Sequence, residues 1–336
     1  YFVFAGEKND DKSREGLWIQ KSLSALALVF MLWMGRNGFF HHTLITSWQP
    51  LHVLVDSIND SSSQNQIEEE MKASLRKYYK IEDPLLELIG EKTVDIFPWE
   101  ISLAYAYDLK WKPRPVMQSY VAYTPQLDKL NSDYFERTPP ETVLYEFRRL
   151  GDMYPVFYEP KTLVTLMRNY SLMERFDRFL LLERNAQERQ DFNYKKNLLK
   201  QVRVNLGERI AIPDYSHGFV FAEIDVDLST YGKVVKSLFR PSRLFIEFLI
   251  LGPGGQDKKP KYRLVRSLGT EGLLVSDHIS DVNQLETLFK GEQHPNVKEV
   301  VLIPEFPSHF DPEIRVTFYG VPKNEMILGK EAGAGN

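Results

Sequence analysis

The order of predicted strands and helices limits the fold of this chain more than any other feature. From residue 92 to 185, short β-rich runs alternate with amphipathic helices, and Pro125 and Pro160 each open one of these helices. A proline is tolerated at the first helical position because the N–H it lacks would have no partner there. Strand–helix alternation at this spacing predicts an α/β domain with a parallel or mixed sheet and flanking helices.

The predicted elements of this part are short. They are a strand at 93–97, a helix at 99–109, an extended piece within 116–123, a helix at 125–134, a strand at 142–147, a helix at 160–170 and a strand at 179–182.

Beyond residue 187 the pattern changes to short strands separated by turn signals. In residues 219–228, alternate positions from Val220 to Leu228 are apolar, while Glu223 and Asp225 point the other way, which predicts a half-buried antiparallel strand. Other strand-like runs occupy 202–212, 244–251, 262–265, 272–276, 297–303 and 314–319, and a helix is predicted at 282–289. This pattern indicates an antiparallel β-sandwich, jelly-roll-like.

Residues 17–40 form an apolar run whose centre, 23–34, carries no charge. Trp18 and Trp33 lie near its two ends, as in the aromatic belts of membrane helices. The run has about the 20 residues that a spanning helix needs, which favours a transmembrane helix over a buried core helix. No small-residue cleavage site follows, which argues against a signal peptide. The first residue is Tyr, so we expect a fragment or a processed chain.

These patterns divide the chain into five parts. We predict a membrane-associated segment at 1–46 with a transmembrane helix at about 17–40, a linker at 47–66, the α/β domain at 67–186, the β-sandwich domain at 187–325 and a disordered tail at 326–336.

Composition narrows the functional classes. The 336 residues are 43% hydrophobic and 26% charged, as in globular proteins. A net charge of −4 without a basic stripe gives no reason to expect nucleic acid as a partner. The absence of cysteine excludes disulfides, thiolate metal sites and cysteine nucleophiles. The seven histidines lack metal-ligand spacing, and no phosphate-binding loop, dinucleotide fingerprint or nucleophile elbow is present, so no metal or cofactor is predicted.

Aromatic, proline and short polar residues concentrate between residues 94 and 131. Asp95 and Glu100 flank Phe97, Pro98 and Trp99 at a predicted strand-to-helix junction. Ligands of α/β sheets bind outside such strand ends, so two carboxylates beside an indole indicate a site for sugar hydroxyls or for acid–base chemistry. The alternative is local: Glu100 would complement the helix N-terminus and Asp95 would make a turn bond.

The segment from Trp111 to Pro115 is extended and rigid because Pro113 and Pro115 bias the preceding residues away from helix. Arg114, held between them, could make a fixed bidentate contact to a ligand carboxylate or phosphate. The other interpretation is an internal salt bridge to Asp95 or Glu100.

Two further clusters supply polar groups. They comprise Gln118, Tyr120, Tyr123, Asp128 and Asn131, and then Asp152, Tyr154, Tyr158 and Glu159. Each could line a polar pocket. The alternative is an amphipathic core for the first cluster and a solvated loop for the second, and these are the more common arrangements. The predicted ligand-binding set is Asp95, Trp99, Glu100, Trp111, Arg114, Gln118, Tyr120, Tyr123 and Asp128, with no residue assigned to catalysis.

Several segments resemble a group of uncharacterised bacterial multi-pass membrane proteins whose soluble portions follow the transmembrane helices. The similar segments are TVDIFPWE at 93–100, LKWKPRPVMQSYVAYTPQLDKLN at 109–131, YPVFYEPKTLVTLMRNY at 154–170, FRPSRLFIEFLIL at 239–251 and YRLVRSLGTEGLLVS at 262–276. The layout is also similar to that of membrane-type glycosyltransferases that use lipid-linked sugars. Their catalytic carboxylate usually lies in a first inter-helix loop, which this chain lacks.

The resemblance implies a protein of the bacterial inner membrane with extracytoplasmic soluble domains. We therefore expect a membrane-anchored envelope protein that binds or helps process a glycan, with the bilayer, a glycan or lipid-linked sugar, and other membrane subunits as partners. The alternative is a non-catalytic structural or interaction subunit of a membrane complex. A soluble enzyme with residues 17–40 in its core is a third reading.

Overall fold

The computed structural model describes residues 61–186, 192–239, 242–250, 257–292 and 296–327. In these ranges, no helix combines the length and apolarity that crossing a membrane requires. The predicted membrane helix at 17–40 lies outside the described residues. Chain contacts separate two units, Tyr1–Ala73 and Ser74–Asn336.

Helix α1 (Ser61–Tyr79) is the first described element. It confirms the helical pattern of residues 67–79 and begins earlier, since residues 61–66 of the predicted linker are helical. Polar side chains such as Gln64 and Gln66 are compatible with an exposed helical turn, which is why composition alone assigned them to a linker.

The first sheet is mixed. Its strands are β1 (Val94–Phe97), β2 (Thr142–Glu146), β3 (Tyr170–Phe176) and β4 (Phe179–Arg184), in the order β1-β2-β4-β3. Strands β1 and β2 are parallel, and the other two pairs are antiparallel. Helices α2 (Asp83–Ile89), α3 (Ser102–Ala106), α4 (Pro125–Arg137) and α5 (Pro160–Asn169) accompany the strands. The predicted mixed sheet with flanking helices is confirmed.

The predicted extended piece within 116–123 is wrong. This stretch consists of turns and a short 3-10 helix at Ser119–Val121. Pro113 and Pro115 have no N–H to offer a sheet, so only Trp111 forms an isolated parallel bridge, to Val94.

Two antiparallel sheets form the later part of the chain. One has the order β10-β7-β12-β5 and the other β6-β11-β8-β9. Their strands are β5 (Leu198–Asn205), β6 (Arg209–Ala211), β7 (Gly218–Asp225), β8 (Leu244–Ile250), β9 (Lys261–Leu264), β10 (Leu273–Leu274), β11 (Val297–Pro304) and β12 (Glu313–Pro322). The antiparallel β-rich region predicted from the sequence is confirmed.

Three helices interrupt these strands. They are α6 (Thr230–Leu238), α7 (Val282–Lys290) and α8 (Lys323–Met326). The sequence predicted α7 and missed α6. Met326 in α8 is fully buried, although the disordered tail was predicted to begin there.

Strand β7 departs from the predicted half-buried pattern. Phe219 and Phe221 are as buried as Val220 and Ala222, so the first half of the strand is covered on both faces. The reason is that side chains pack on both faces of β7: all four residues belong to the large hydrophobic cluster, and the Tyr194 ring lies 6.0 Å from the Phe221 ring.

The first sheet is also buried on both faces, and alternate residues enter different hydrophobic clusters. Val143 and Tyr145 join a cluster that continues through both antiparallel sheets, while Leu144 joins a smaller cluster with α2 and α3. The Tyr145 and Phe289 rings, 6.1 Å apart, are one contact in the larger cluster. The hydrophobic core thus runs across residue 187, and the domain boundary placed there stays a prediction.

Candidate functional site

Arg114 and Asp95 form a buried ion pair, the second of the two interpretations of Arg114. The Nη1 atom lies 2.8 Å from Asp95 Oδ2, and both side chains are almost completely buried. Arg114 also donates to the carbonyl oxygens of Ile96, Pro98 and Met117. Its fork therefore ties the end of β1 to the loop that follows Pro115.

Trp111 adds a third partner to this pair. Its indole N–H donates to Asp95 Oδ1 at 3.3 Å, so both carboxylate oxygens are bonded. The Arg114 guanidinium also lies 4.7 Å from the centre of the Phe97 ring. Because these partners belong to the protein, Asp95 and Arg114 hold the corner of the sheet rather than opening a cleft.

Glu159 continues the buried network. Its Oε1 lies 4.0 Å from Arg114 Nε, and its Oε2 accepts a hydrogen bond from Asn131 Nδ2 at 2.8 Å. Asn131 also exchanges hydrogen bonds with the backbone N–H and C=O of Val116. Burial raises the pKa of the Glu159 carboxyl, and Arg114 opposes the shift.

Asp128 caps helix α5 from the side of helix α4. Its carboxylate accepts hydrogen bonds from the backbone N–H groups of Lys161 and Thr162, at 2.9 and 3.0 Å, and from the Thr162 hydroxyl. Burial, and secondly the Glu159 charge, raise the pKa of Asp128 to about 7. A carboxylate that satisfies a helix N-terminus in this way is a positioning group for the fold.

Trp99 and Glu100 lie where the parallel strands end, as predicted. Glu100 accepts hydrogen bonds from the hydroxyl of Tyr79 and from Arg148, each at 2.6 Å. The Trp99 ring packs edge-on against Tyr120 and Tyr158. No local pattern in the sequence marks Arg148, which reaches Glu100 from the segment after β2.

The end of β2 adds a second carboxylate to this edge. Glu146 is paired with Arg178 at 3.0 Å, and Arg148 Nη1 lies 3.8 Å from its carboxylate. Burial raises the pKa of Glu146, against the effect of the two arginines. Both carboxylates are thus neutralised by protein cations.

A cleft opens beside Tyr120 and Tyr123. Its volume is about 450 Å³, within the range of small-ligand sites. Thr124 continues the same wall, and Tyr123 is more than half exposed. The opposite wall comes from β8, β9 and the turn that follows β9. The Ser267 hydroxyl donates to the Tyr123 carbonyl oxygen and joins the two walls.

Four cationic side chains line this cleft, and none of its lining residues in the described ranges carries a carboxylate. The four are Lys236, Arg243, Arg263 and Arg266. Arg266 donates to the Val226 carbonyl oxygen, and Arg243 is paired with Glu305 at 2.8 Å. Arg263 is partly buried, and within the described part of the chain no hydrogen bond or ion pair engages its guanidinium.

The structure thus separates the predicted set into three places. Asp95, Trp111, Arg114 and Asp128 lie in the buried network, Trp99 and Glu100 at the strand ends, and Tyr120 and Tyr123 at the cleft. Gln118 is exposed and lines none of the described cleft. From the second cluster, Tyr154 and Tyr158 are buried, while Asp152 lies 3.6 Å from Arg243.

Metal binding has no candidate among the described residues, where no group of three or more His, Asp or Glu side chains could hold an ion.

The chain matches no protein-family model, no curated protein and no solved structure. The functional argument therefore depends on the geometry of the cleft.

Proposed function

We propose that the cleft binds a glycan that carries a phosphate or carboxylate group. The observation that supports this proposal is a cleft of about 450 Å³ whose described lining residues include four cations and two tyrosines and no carboxylate. Guanidinium groups bind phosphate and carboxylate through paired hydrogen bonds. Tyrosine faces offer apolar contact to a sugar ring, and their hydroxyls offer hydrogen bonds.

Arg263 is the residue expected to meet the negative group. A partly buried guanidinium without an internal carboxylate gains more from a bound anion than one that is already paired. Arg243 differs because Glu305 and Asp152 offset its charge. Tyr120 is held by its contact with Trp99, so its ring is positioned before a ligand arrives.

This proposal places the chain in a bacterial envelope protein, anchored in the inner membrane by residues 17–40, with the described domains extracytoplasmic. The two antiparallel sheets would form a jelly-roll-like sandwich that supplies one wall of the cleft. A lipid-linked sugar phosphate would satisfy the same charges. The chain would then bind the glycan for a membrane glycosyltransferase and leave the catalytic carboxylate to another segment.

Calorimetric titration of the detergent-solubilised full chain tests the proposal. Sugar phosphates and uronic acid oligosaccharides are the ligands, and neutral oligosaccharides of equal size are the comparison. We expect Arg263→Ala to weaken anionic binding about tenfold or more, since a charge-assisted hydrogen bond contributes roughly 1.5–3 kcal/mol. Lys129→Ala, on the exposed face of α4, is the matched control.

The expected binding falls as salt concentration rises, because the contact is ionic. Equal affinity of the Arg263→Ala variant and the unsubstituted chain would overturn the proposal, as would the absence of any anionic saccharide binding. Tyr120→Phe removes the hydroxyl and keeps the ring, whereas Tyr120→Ala removes both. If binding is lost in Tyr120→Ala and kept in Tyr120→Phe, the contribution comes from the aromatic face.

A second function, the non-catalytic structural subunit, is favoured by a different observation. Asp95, Arg114 and Asp128, which concentrate the polar groups of the 94–131 segment, are closed within the fold. In this reading the segment stabilises a domain that holds a membrane complex together. Co-purification from detergent with a stoichiometric protein partner, combined with a cleft that binds no saccharide, would support it.

A further inference from the structure

Helix α6 exposes an apolar stripe that the cleft does not use. Tyr231, Val234 and Leu238 are 59%, 52% and 70% exposed, and Phe239, directly after the helix, is 71% exposed. Spacings of three and four residues place these positions on one face of the helix. Large apolar side chains this exposed and this close together mark an interaction surface rather than scattered surface residues.

The helix is held to the protein by a different side. Gly232 is its buried residue, and a Cβ there would lie 1.8 Å from the His309 carbonyl oxygen. Ser229 caps the helix by accepting from the Gly232 N–H at 3.0 Å, and its hydroxyl donates to the Ser308 carbonyl oxygen. The close approach through glycine fixes the helix against the body with its larger side chains turned outward.

Phe306 extends the stripe beyond the helix. Its ring lies 5.2 Å from the His309 ring, which in turn lies 5.1 Å from the Tyr231 ring. Phe306 is itself 53% exposed. The stripe, defined as Tyr231, Val234, Leu238, Phe239 and Phe306, is therefore exposed along its whole length, and none of its five residues lines the described cleft.

The charged side chains of α6 indicate what kind of surface the stripe would contact. The helix sequence TYGKVVKSL contains Lys233 and Lys236 and no carboxylate. Both lysines are exposed, and the helical spacing puts them on the polar side of α6, away from the apolar stripe. Aromatic and aliphatic side chains on one face with lysines on the polar face are typical of helices that lie in the headgroup region of an anionic bilayer.

We infer that the α6 stripe docks on the surface of an anionic lipid bilayer. The apolar side chains would enter the boundary between headgroups and acyl chains, and Lys233 would contact lipid phosphates. An exposed apolar stripe outside the cleft, on a helix whose charged side chains are all cationic, fits an anionic lipid surface, whereas a partner helix is ordinarily received in a groove. This inference makes no use of the ligand in the cleft.

The chain contains no cysteine, so a single introduced thiol can report on one position. Leu238→Cys, labelled with a fluorophore that shifts to the blue in apolar surroundings, is measured in the full chain reconstituted into vesicles. The vesicles contain phosphatidylcholine alone or phosphatidylcholine with phosphatidylglycerol, and brominated lipids act as quenchers. Glu174→Cys, exposed on β3, is the labelled control.

We expect a blue shift and lipid quenching at position 238 in the anionic vesicles, a weaker effect in the neutral vesicles, and neither at position 174. Adding Lys233→Glu to the labelled chain should lower the ratio of docked to undocked probe roughly fivefold or more. Lys233 is chosen because Lys236 also lines the cleft.

Two outcomes overturn the inference. A probe at 238 that stays in polar surroundings in every vesicle leaves the stripe free for a protein partner. A blue shift that depends on protein concentration instead of lipid, with disulfide formation between unlabelled Leu238→Cys chains, assigns the stripe to a second copy. Because no saccharide is present, a failure here is distinct from a failure of the cleft proposal.

Discussion

Asp95 and Arg114 are both buried away from solvent, and protein groups replace the hydrogen bonds that water would make to each. The carboxylate is bonded by Arg114 and Trp111, and the guanidinium by Asp95 and backbone carbonyl oxygens. Removing one member of such a pair leaves the other charge buried without compensation. We therefore expect substitutions of these residues to change the free energy of unfolding.

Asp95→Ala should lower the free energy of unfolding by about 3–5 kcal/mol, since Arg114 would keep its charge in the core. Urea unfolding of the full chain in detergent measures the change. Lys129→Ala, which breaks the exposed pair with Asp133, should cost less than about 1 kcal/mol. A loss of saccharide binding in Asp95→Ala without loss of stability would instead give Asp95 a role at a ligand.

The raised pKa of Asp128 predicts how the stability of the protein changes with pH. Its pKa of about 7 in the folded chain exceeds that of an unfolded aspartate, so the folded state holds the proton more tightly. The contribution of Asp128 to stability is therefore fully present below about pH 4. It is lost as pH rises to about 7, by at most about 1.4 kcal/mol per pH unit. Urea unfolding across this range should show a shallower slope in Asp128→Asn, and an unchanged slope would contradict the assignment.

The residues of the site could be predicted from sequence only as far as local spacing reaches. The rigid segment around Arg114 and the Trp99–Glu100 corner are visible because prolines and aromatic residues lie close together along the chain. The partner of Arg114 is 19 positions away. The cleft joins Tyr120 to Arg263, and no local pattern marks residues that meet only after β8 and β9 have formed.

Among the elements, α6 shows how a single glycine can decide where a helix lies. Gly232 approaches the backbone of His309 so closely that no side chain fits between them. The same glycine, with the β-branched Val234 and Val235, lowers helix propensity. That combination explains why the sequence pattern does not predict α6, whereas the proline starts and apolar faces of α4 and α5 do predict those two helices.

Gly232→Ala should loosen α6 from the body of the protein. Alanine improves helix propensity by about 1 kcal/mol, but the clash with His309 costs more, about 1–3 kcal/mol, if the helix stays in place. Hydrogen exchange across residues 230–238 should therefore increase. Ser237→Ala, at an exposed position of the same helix, is the control, and equal exchange in both variants would show that the contact tolerates a methyl group.

Over the whole molecule, Tyr154 connects the mixed sheet to the antiparallel sheets. Its ring stacks on Tyr262 at 4.7 Å and on His278 at 5.6 Å, and its hydroxyl accepts the Ile279 N–H at 2.7 Å. The sequence placed Tyr154 in a candidate loop cluster, since a residue that joins separate sheets is not marked by either sheet's periodicity.

Tyr154→Ala should destabilise both parts together, by about 3–5 kcal/mol, because one core loses a large ring. Tyr154→Phe should cost about 1–3 kcal/mol, since only the partner of the buried Ile279 N–H is lost. Fluorescence and hydrogen exchange in β2 and β12 should report one coincident transition. Separate midpoints for the two strands would show that the parts unfold independently.

Strand β12 has a consequence for the synthesis of the protein. It lies between β5 and β7 and pairs with both, and each paired residue of β12 follows its partner by at least 90 positions in the chain. Until β12 has left the ribosome, β5 has no partner strand in this sheet and β7 has one unpaired edge, and such edges aggregate readily. The sheet therefore completes late, and we expect the growing chain to depend on a chaperone until about residue 322 has emerged.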